Sequence, residues 1–218
     1  MKALLFFVLL TVLNGALAQV ERRGTNEWSL HLFATGSERY TFEGGASARN
    51  DGGAGITLAT ARNLTRYFSL GVEATLAEFN YRASVAPGSG NAGAGFETRG
   101  DMESLALRVN GTWNLLSTSF TPFLSAAAGL IFLDTNLRGE APANACWVYP
   151  WYGQVCSDKA PDTGLTRLSY GVGGGLRYDL PRDQGFVRAY FGGEWIAFSE
   201  ATSAVGYWQI RADFGLPF

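Results

Sequence analysis

Beyond residue 26 the chain alternates apolar and polar residues one by one, segment after segment. A period of two sends successive side chains to opposite faces of a β-strand. Eight segments follow it. Residues 27–35 set Trp28, Leu30, Leu32 and Ala34 on one face. Residues 53–62 do so with Ala54, Ile56 and Leu58, and 67–80 with Phe68, Leu70, Val72, Ala74 and Leu76. Residues 103–114 align Leu105, Leu107, Val109 and Trp113. Residues 121–133 are apolar on both faces, which leaves their orientation open. Residues 168–180 align Tyr170, Val172, Leu176 and Tyr178, and 185–199 align Val187, Phe191 and Trp195. The last segment, 205–218, aligns Trp208, Ile210, Ala212, Phe214, Leu216 and Phe218.

The opposite faces carry charge. Glu73, Arg108, Arg177, Glu194 and Arg211 have parities that point them to one common side. A soluble barrel is apolar inside and polar outside, and a membrane barrel reverses this. Alternation alone does not choose between them. Gly171, Gly173 and Gly175 share a face with Arg177, and Gly192 shares one with Glu194. That suits bulky charged groups crowded into a narrow eight-stranded lumen. The links also help. Those at 63–66, 115–120 and 181–184 are short, whereas 36–52, 81–102 and 134–167 are long. Only the last link, 200–204, breaks the alternation. Short turns at one end and long loops at the other are the organisation of outer-membrane barrels. The expectation is an all-β fold: an eight-stranded antiparallel up-and-down transmembrane β-barrel. Its short turns would be periplasmic, its longer loops extracellular, and both termini periplasmic.

The N-terminus agrees with export. Lys2, an apolar run from Ala3 to Leu13, and Ala16-Leu17-Ala18 read as a signal peptide over residues 1–18. Residues 19–218 would then form one barrel domain. No later segment reaches the ~18 uninterrupted apolar residues of a membrane helix. The 28 Gly, 15 Phe, 9 Tyr and 6 Trp suit strands, tight packing and interfacial aromatic belts. A net charge of −2 offers no basic surface for nucleic acid. One His and two Cys are too few for an evident zinc site, so neither a metal nor a cofactor is expected.

The final strand resembles the C-terminal strand of outer-membrane β-barrel proteins, which ends in Phe after alternating apolar residues. Ile210, Phe214, Leu216 and Phe218 carry the likeness, with Ala212 between them and Pro217 as a mild departure. The resemblance implies a signal read by the barrel-assembly machinery. The whole mature chain is similar to the small eight-stranded OmpA/OmpX/OmpW-type barrels, and no further domain is expected after Phe218. It also implies a setting among outer-membrane lipids.

The candidate chemistry is sparse. The five lumen charges form either an ion-paired plug or a selectivity gate, and eight strands leave little room for the second. His31 shares its segment with Ser29, and Ser37 and Glu38 follow closely. A hydrolase reading requires these groups to converge, and no G-x-S-x-G motif surrounds any Ser. Gly171-Val-Gly-Gly-Gly175 lacks the Lys-Ser/Thr of a phosphate loop and lies inside a strand pattern. Cys146 and Cys156 lie in the longest link, where an exported chain would oxidise them to a disulfide. Between them Trp147, Tyr149, Trp151 and Tyr152 are placed to bind an extracellular glycan, protein or lipid, or equally to pack on the loop itself. The expected role is non-enzymatic: envelope support or surface interaction through the loops. The alternatives are a narrow channel for small solutes, a lipid-modifying enzyme, or a soluble exported barrel holding an apolar ligand.

Overall fold

The computed structural model describes residues 21–41, 46–85, 96–135, 146–149, 153–156, 164–181, 184–197 and 205–218. The segment read as a signal peptide, 1–18, lies outside them, as does the link 200–204. Among the described residues eleven strands are seen: β1 (Asn26–Thr35), β2 (Glu38–Thr41), β3 (Ala46–Asn63), β4 (Phe68–Val85), β5 (Phe96–Asn114), β6 (Phe120–Thr135), β7 (Cys146–Tyr149), β8 (Gly153–Cys156), β9 (Gly164–Asp179), β10 (Phe186–Ala197) and β11 (Val205–Pro217).

β2 to β6 and β9 to β11 pair antiparallel in order, β6 pairs with β9, and β1 bonds both β3 and β11, so the sheet closes on itself. β2 resumes the line of β1 after Gly36 and Ser37 and pairs with β3. The two act as one interrupted strand, which makes eight staves. β7 and β8 form a separate hairpin within the longest link.

The register fixes the dimensions. A rung starting at Asn26 passes through Arg62, Leu70, Gly111, Ala126, Val172, Gly193 and Trp208. It returns to the first stave at Gly36, ten residues further along it. Eight strands with that stagger lean about 40° from the barrel axis and leave a backbone radius of roughly 8 Å. Such a cylinder is filled by its own side chains.

Which face looks outward is settled by exposure. Trp28, Leu76, Val109, Phe191 and Leu216 are exposed, while Glu27, Glu73, Arg108, Arg177 and Asp213 on the alternate parity are buried. The barrel is apolar outside and polar inside, the arrangement a lipid surroundings demands. A soluble carrier would have the opposite polarity. Aromatic rings mark both margins of the outer belt. Trp28 meets Phe218 (5.5 Å between ring centres) at the short-turn end, and Tyr170 stacks on Trp195 (5.8 Å) at the other. β6, apolar on both faces, turns Phe123, Ile131 and Leu133 inward and Leu124, Leu130 and Phe132 outward.

Several strands outrun their hydrophobic pattern. β3 begins at Ala46, β4 runs to Val85 and β5 starts at Phe96. Backbone pairing continues past the lipid belt, where outward positions become Glu78, Asn80 and Arg82, or Glu103, Asp101 and Arg99. Periodicity of apolar residues reports only the belt.

Candidate functional site

Buried polar side chains converge in the lumen, and they are built in levels. Nearest the short turns, Glu27 on β1 is the hub. Arg177 donates to both its oxygens at 2.7 and 3.1 Å. Arg188 and Asn63 reach it at 3.2 and 2.8 Å. Arg177 also holds Asp179 at 2.8 Å. Arg22, from the segment before β1, caps this level. Its guanidinium pairs with Asp179 and donates to the carbonyls of Leu116 (3.2 Å) and Thr118 (2.7 Å). The Phe186 ring lies under Arg177 and Arg188, with their guanidinium carbons 4.0 and 4.3 Å from its centre.

At mid-height Arg108 lies 2.7 Å from Glu73 and 2.5 Å from Glu194. Asn110 donates to the other Glu73 oxygen at 2.9 Å, and Thr75 joins Arg108 to Thr57. Beside them Arg211 pairs with Asp213 at 2.8 Å and lies over the Tyr190 ring. Glycines make this possible. An ideal Cβ on Gly192 or Gly173 would fall 2.1 or 2.4 Å from the Tyr190 hydroxyl, so a side chain there would occupy the ring's place. Each guanidinium has an anion within reach, which offsets the several kcal/mol that burying an unpaired charge costs.

Toward the long links the filling changes character. Phe79, Met102, Ile131, Leu133, Ile196 and Tyr207 pack together inside the barrel, with Phe79 and Tyr207 in ring contact at 5.5 Å. These residues have lumen parity, yet they are apolar. The interior is therefore charged below and greasy above.

The sequence-derived residues fall as follows. Glu73, Arg108, Arg177, Glu194 and Arg211 all point inward, but they do not form one cluster. Arg108 joins Glu73 and Glu194, whereas Arg177 turns to Glu27 and Asp179, and Arg211 to Asp213. Glu27, Arg188, Asp179, Asp213 and Arg22 complete the network beyond those five. The first four share lumen parity on their strands, a signal available in the sequence; Arg22 precedes the first strand and has none. Ile210, Phe214, Leu216 and Phe218 all lie exposed on the outer belt.

His31 and Ser29 do meet, at 2.8 Å, and Asp213 lies 4.0 Å from the same ring nitrogen, Nε2. A nucleophilic triad needs the acid on the opposite nitrogen, Nδ1, where it would orient the base. Nδ1 makes no hydrogen bond among the described residues. The cluster lacks relay geometry. Cys146 stands directly across from Cys156 in the β7–β8 register, and Trp147 and Tyr149 lie on β7. Trp151 and Tyr152 lie outside the described residues. β7 runs close to β4.

Neither a family model nor a curated protein sequence matches the chain. Solved structures do. The crystal structure of Neisserial surface protein A aligns over 89% of this chain and 97% of its own, with 15% identity and a TM-score of 0.50. Its fold is that of the small eight-stranded outer-membrane barrels. OprG from Pseudomonas aeruginosa aligns over 92% of this chain and 98% of its own, at 13% identity and a TM-score of 0.49. The N-terminal barrel of Pseudomonas aeruginosa OprF covers 90% of this chain and is itself covered completely (100%), at 14% identity and a TM-score of 0.41.

Proposed function

We propose that this barrel is an outer-membrane protein with a sealed lumen that works through its external surface, by supporting the envelope or engaging a partner with its loops. The filled interior carries the reading. Ion-paired arginines occupy one half, and a mainly apolar cluster with Thr35, Asn50, Ser104 and Gln209 beside it occupies the other, which supports a lumen without a wide polar path. In this view both termini are periplasmic and the C-terminal row from Ile210 to Phe218 is read by the barrel-assembly machinery. The β7–β8 hairpin, closed by a Cys146–Cys156 disulfide, would then present Trp147, Tyr149, Trp151 and Tyr152 outside the cell to a glycan or protein. A hydrolytic role is disfavoured by the orientation of His31. The test is electrical. Purified protein reconstituted in planar bilayers should give no steady conductance steps. Sustained nanosiemens-scale current would overturn the sealed-lumen reading in favour of a channel.

A further inference from the structure

The residues just ahead of β1 cross the mouth of the barrel at its short-turn end. Thr25 is tied to the wall on one side. Its carbonyl accepts from the Asn63 amide at 2.9 Å, and the Gly24 amide donates to the Asn63 carbonyl at 2.7 Å. A turn closed from the Thr25 amide to the Arg22 carbonyl, at 3.2 Å, with Gly24 at φ +81°, carries the chain to Arg22. The Arg22 guanidinium ends between the β5–β6 turn and the last residue of β9. There it holds the carbonyls of Leu116 and Thr118 and the Asp179 carboxylate. In the ring of staves β1 and β3 stand opposite β6 and β9, so this strap spans the opening.

Two observations make the strap a movable part. Nothing apolar holds it: Glu21, Arg23 and Gly24 are exposed, Thr25 is half-buried, and only Arg22 is buried. Lifting it uncovers no hydrophobic side chain of its own, so the closed state depends on the polar contacts of one guanidinium. Its departure also strands no charge. Asp179 gives Oδ2 to Arg22 and Oδ1 to Arg177, the latter at 2.8 Å. Without Arg22, Asp179 keeps a cation, and the freed guanidinium goes to water. Arg108 is different, because among the described residues it is the ion-pair partner of both Glu73 and Glu194. A stranded buried charge is what makes breaking an ion pair costly.

We propose that residues 21–25 are a latch on the short-turn mouth, bolted by Arg22. It opens while the barrel stays folded and admits water and small ions to the charged half of the lumen. That the mouth faces the periplasm rests on the orientation proposed above; the latch itself does not.

The experiment reads access to the mouth by thiol labelling of the full chain, folded in a detergent micelle in a C146S/C156S background. Asn114→Cys is the reporter near the mouth. Asn114 ends β5, is fully buried, and its side chain makes no hydrogen bond among the described residues. Ala106→Cys, in the apolar upper filling, is the control. The reagent is a small anionic methanethiosulfonate, which enters through water and not through the micelle. In the parent, Asn114→Cys should label slowly, yet faster than Ala106→Cys. Adding Arg22→Gln should speed labelling at position 114 at least about tenfold, the change expected from losing a charge-assisted contact, and leave position 106 unchanged. Arg22→Lys, which keeps the charge without the fork, should fall between. No change at 114 with Arg22→Gln, or an equal rise at both positions, would overturn the latch. So would loss of the parent's heat-dependent gel mobility in the Arg22→Gln protein, since that would make Arg22 part of the wall. Steady conductance by the parent would defeat the sealed-lumen reading alone, because the labelling contrast is measured without it.

Discussion

Single residues decide the lumen. Glu27 faces two arginines, and Arg188 has no closer carboxylate among the described residues. Glu27→Gln keeps the shape and removes the charge, so it should destabilise the barrel by about 3–5 kcal/mol, as breaking a buried pair does. Urea unfolding in detergent, read by tryptophan fluorescence, measures it; a loss below about 1 kcal/mol would mean that water reaches the hub. Gly192→Ala places a methyl where the Tyr190 ring lies. It should cost about 1–3 kcal/mol, the usual range for overpacking, and Y190A in the same chain should recover part of the loss. How far this chemistry was legible is itself a residue-scale matter. Parity turned the lumen charges on the strands inward, because a strand allows only two faces; Arg22, ahead of β1, had no such signal. It could not say that Arg108 meets Glu73 and Glu194 while Arg177 meets Glu27, because partners are set by the stagger between strands. The apolar upper filling was illegible for another reason. Phe79, Met102 and Ile196 occupy positions of polar parity, and residue type alone does not tell an apolar lumen side chain from a local lapse in the pattern.

At the scale of elements, strands were readable where lipid imposes a pattern and unreadable where it does not. All eight staves were foreseen, but the upper parts of β3, β4 and β5 were not. Beyond the belt the alternation inverts, with polar residues outward and Phe79, Tyr81 and Met102 inward, so the row of outward apolar residues that marked each strand ends before the hydrogen bonding does. The β7–β8 hairpin was equally hidden, although its two cysteines marked the link. If Cys146 and Cys156 are bridged, the constraint acts on a short ring and should leave the barrel alone. A C146S/C156S variant should keep the parent's heat mobility but be cut faster by protease between residues 136 and 163. Two free thiols titrated in the oxidised, unfolded parent would refute the bridge. The last strand, β11, makes its own prediction. Deleting Phe218 removes the ring that meets Trp28 and the end of the outward row. Membrane insertion in cells should fall several-fold, while refolding into detergent changes less. Equal loss in both settings would assign Phe218 to stability rather than to recognition.

Taken whole, the molecule is a closed cylinder whose two ends differ in kind. The lower half is held by opposite charges that must find one another, the upper by apolar groups that only need to exclude water. Outside, the belt makes the barrel dependent on lipid, and beyond it the wall becomes charged and faces the headgroups. This division of the interior is what the proposed role at the outer surface rests on.

The hub at Glu27 also dates the steps of assembly. Its carboxylate belongs to the first stave, whereas Arg177 and Arg188 lie 150 and 161 residues later in the chain. Contacts between such distant positions form slowly, since the loop they close is long. The same holds for the β1–β11 seam, which joins the first strand to the last. Until that seam zips, Glu27 stands at one edge without Arg177 and Arg188, and Arg188 near the other without Glu27, charged groups that lipid rejects. An unfinished sheet is therefore held at the water boundary by its own charges. Meeting at the hub pairs those charges, so closure of the seam should precede full burial in the bilayer.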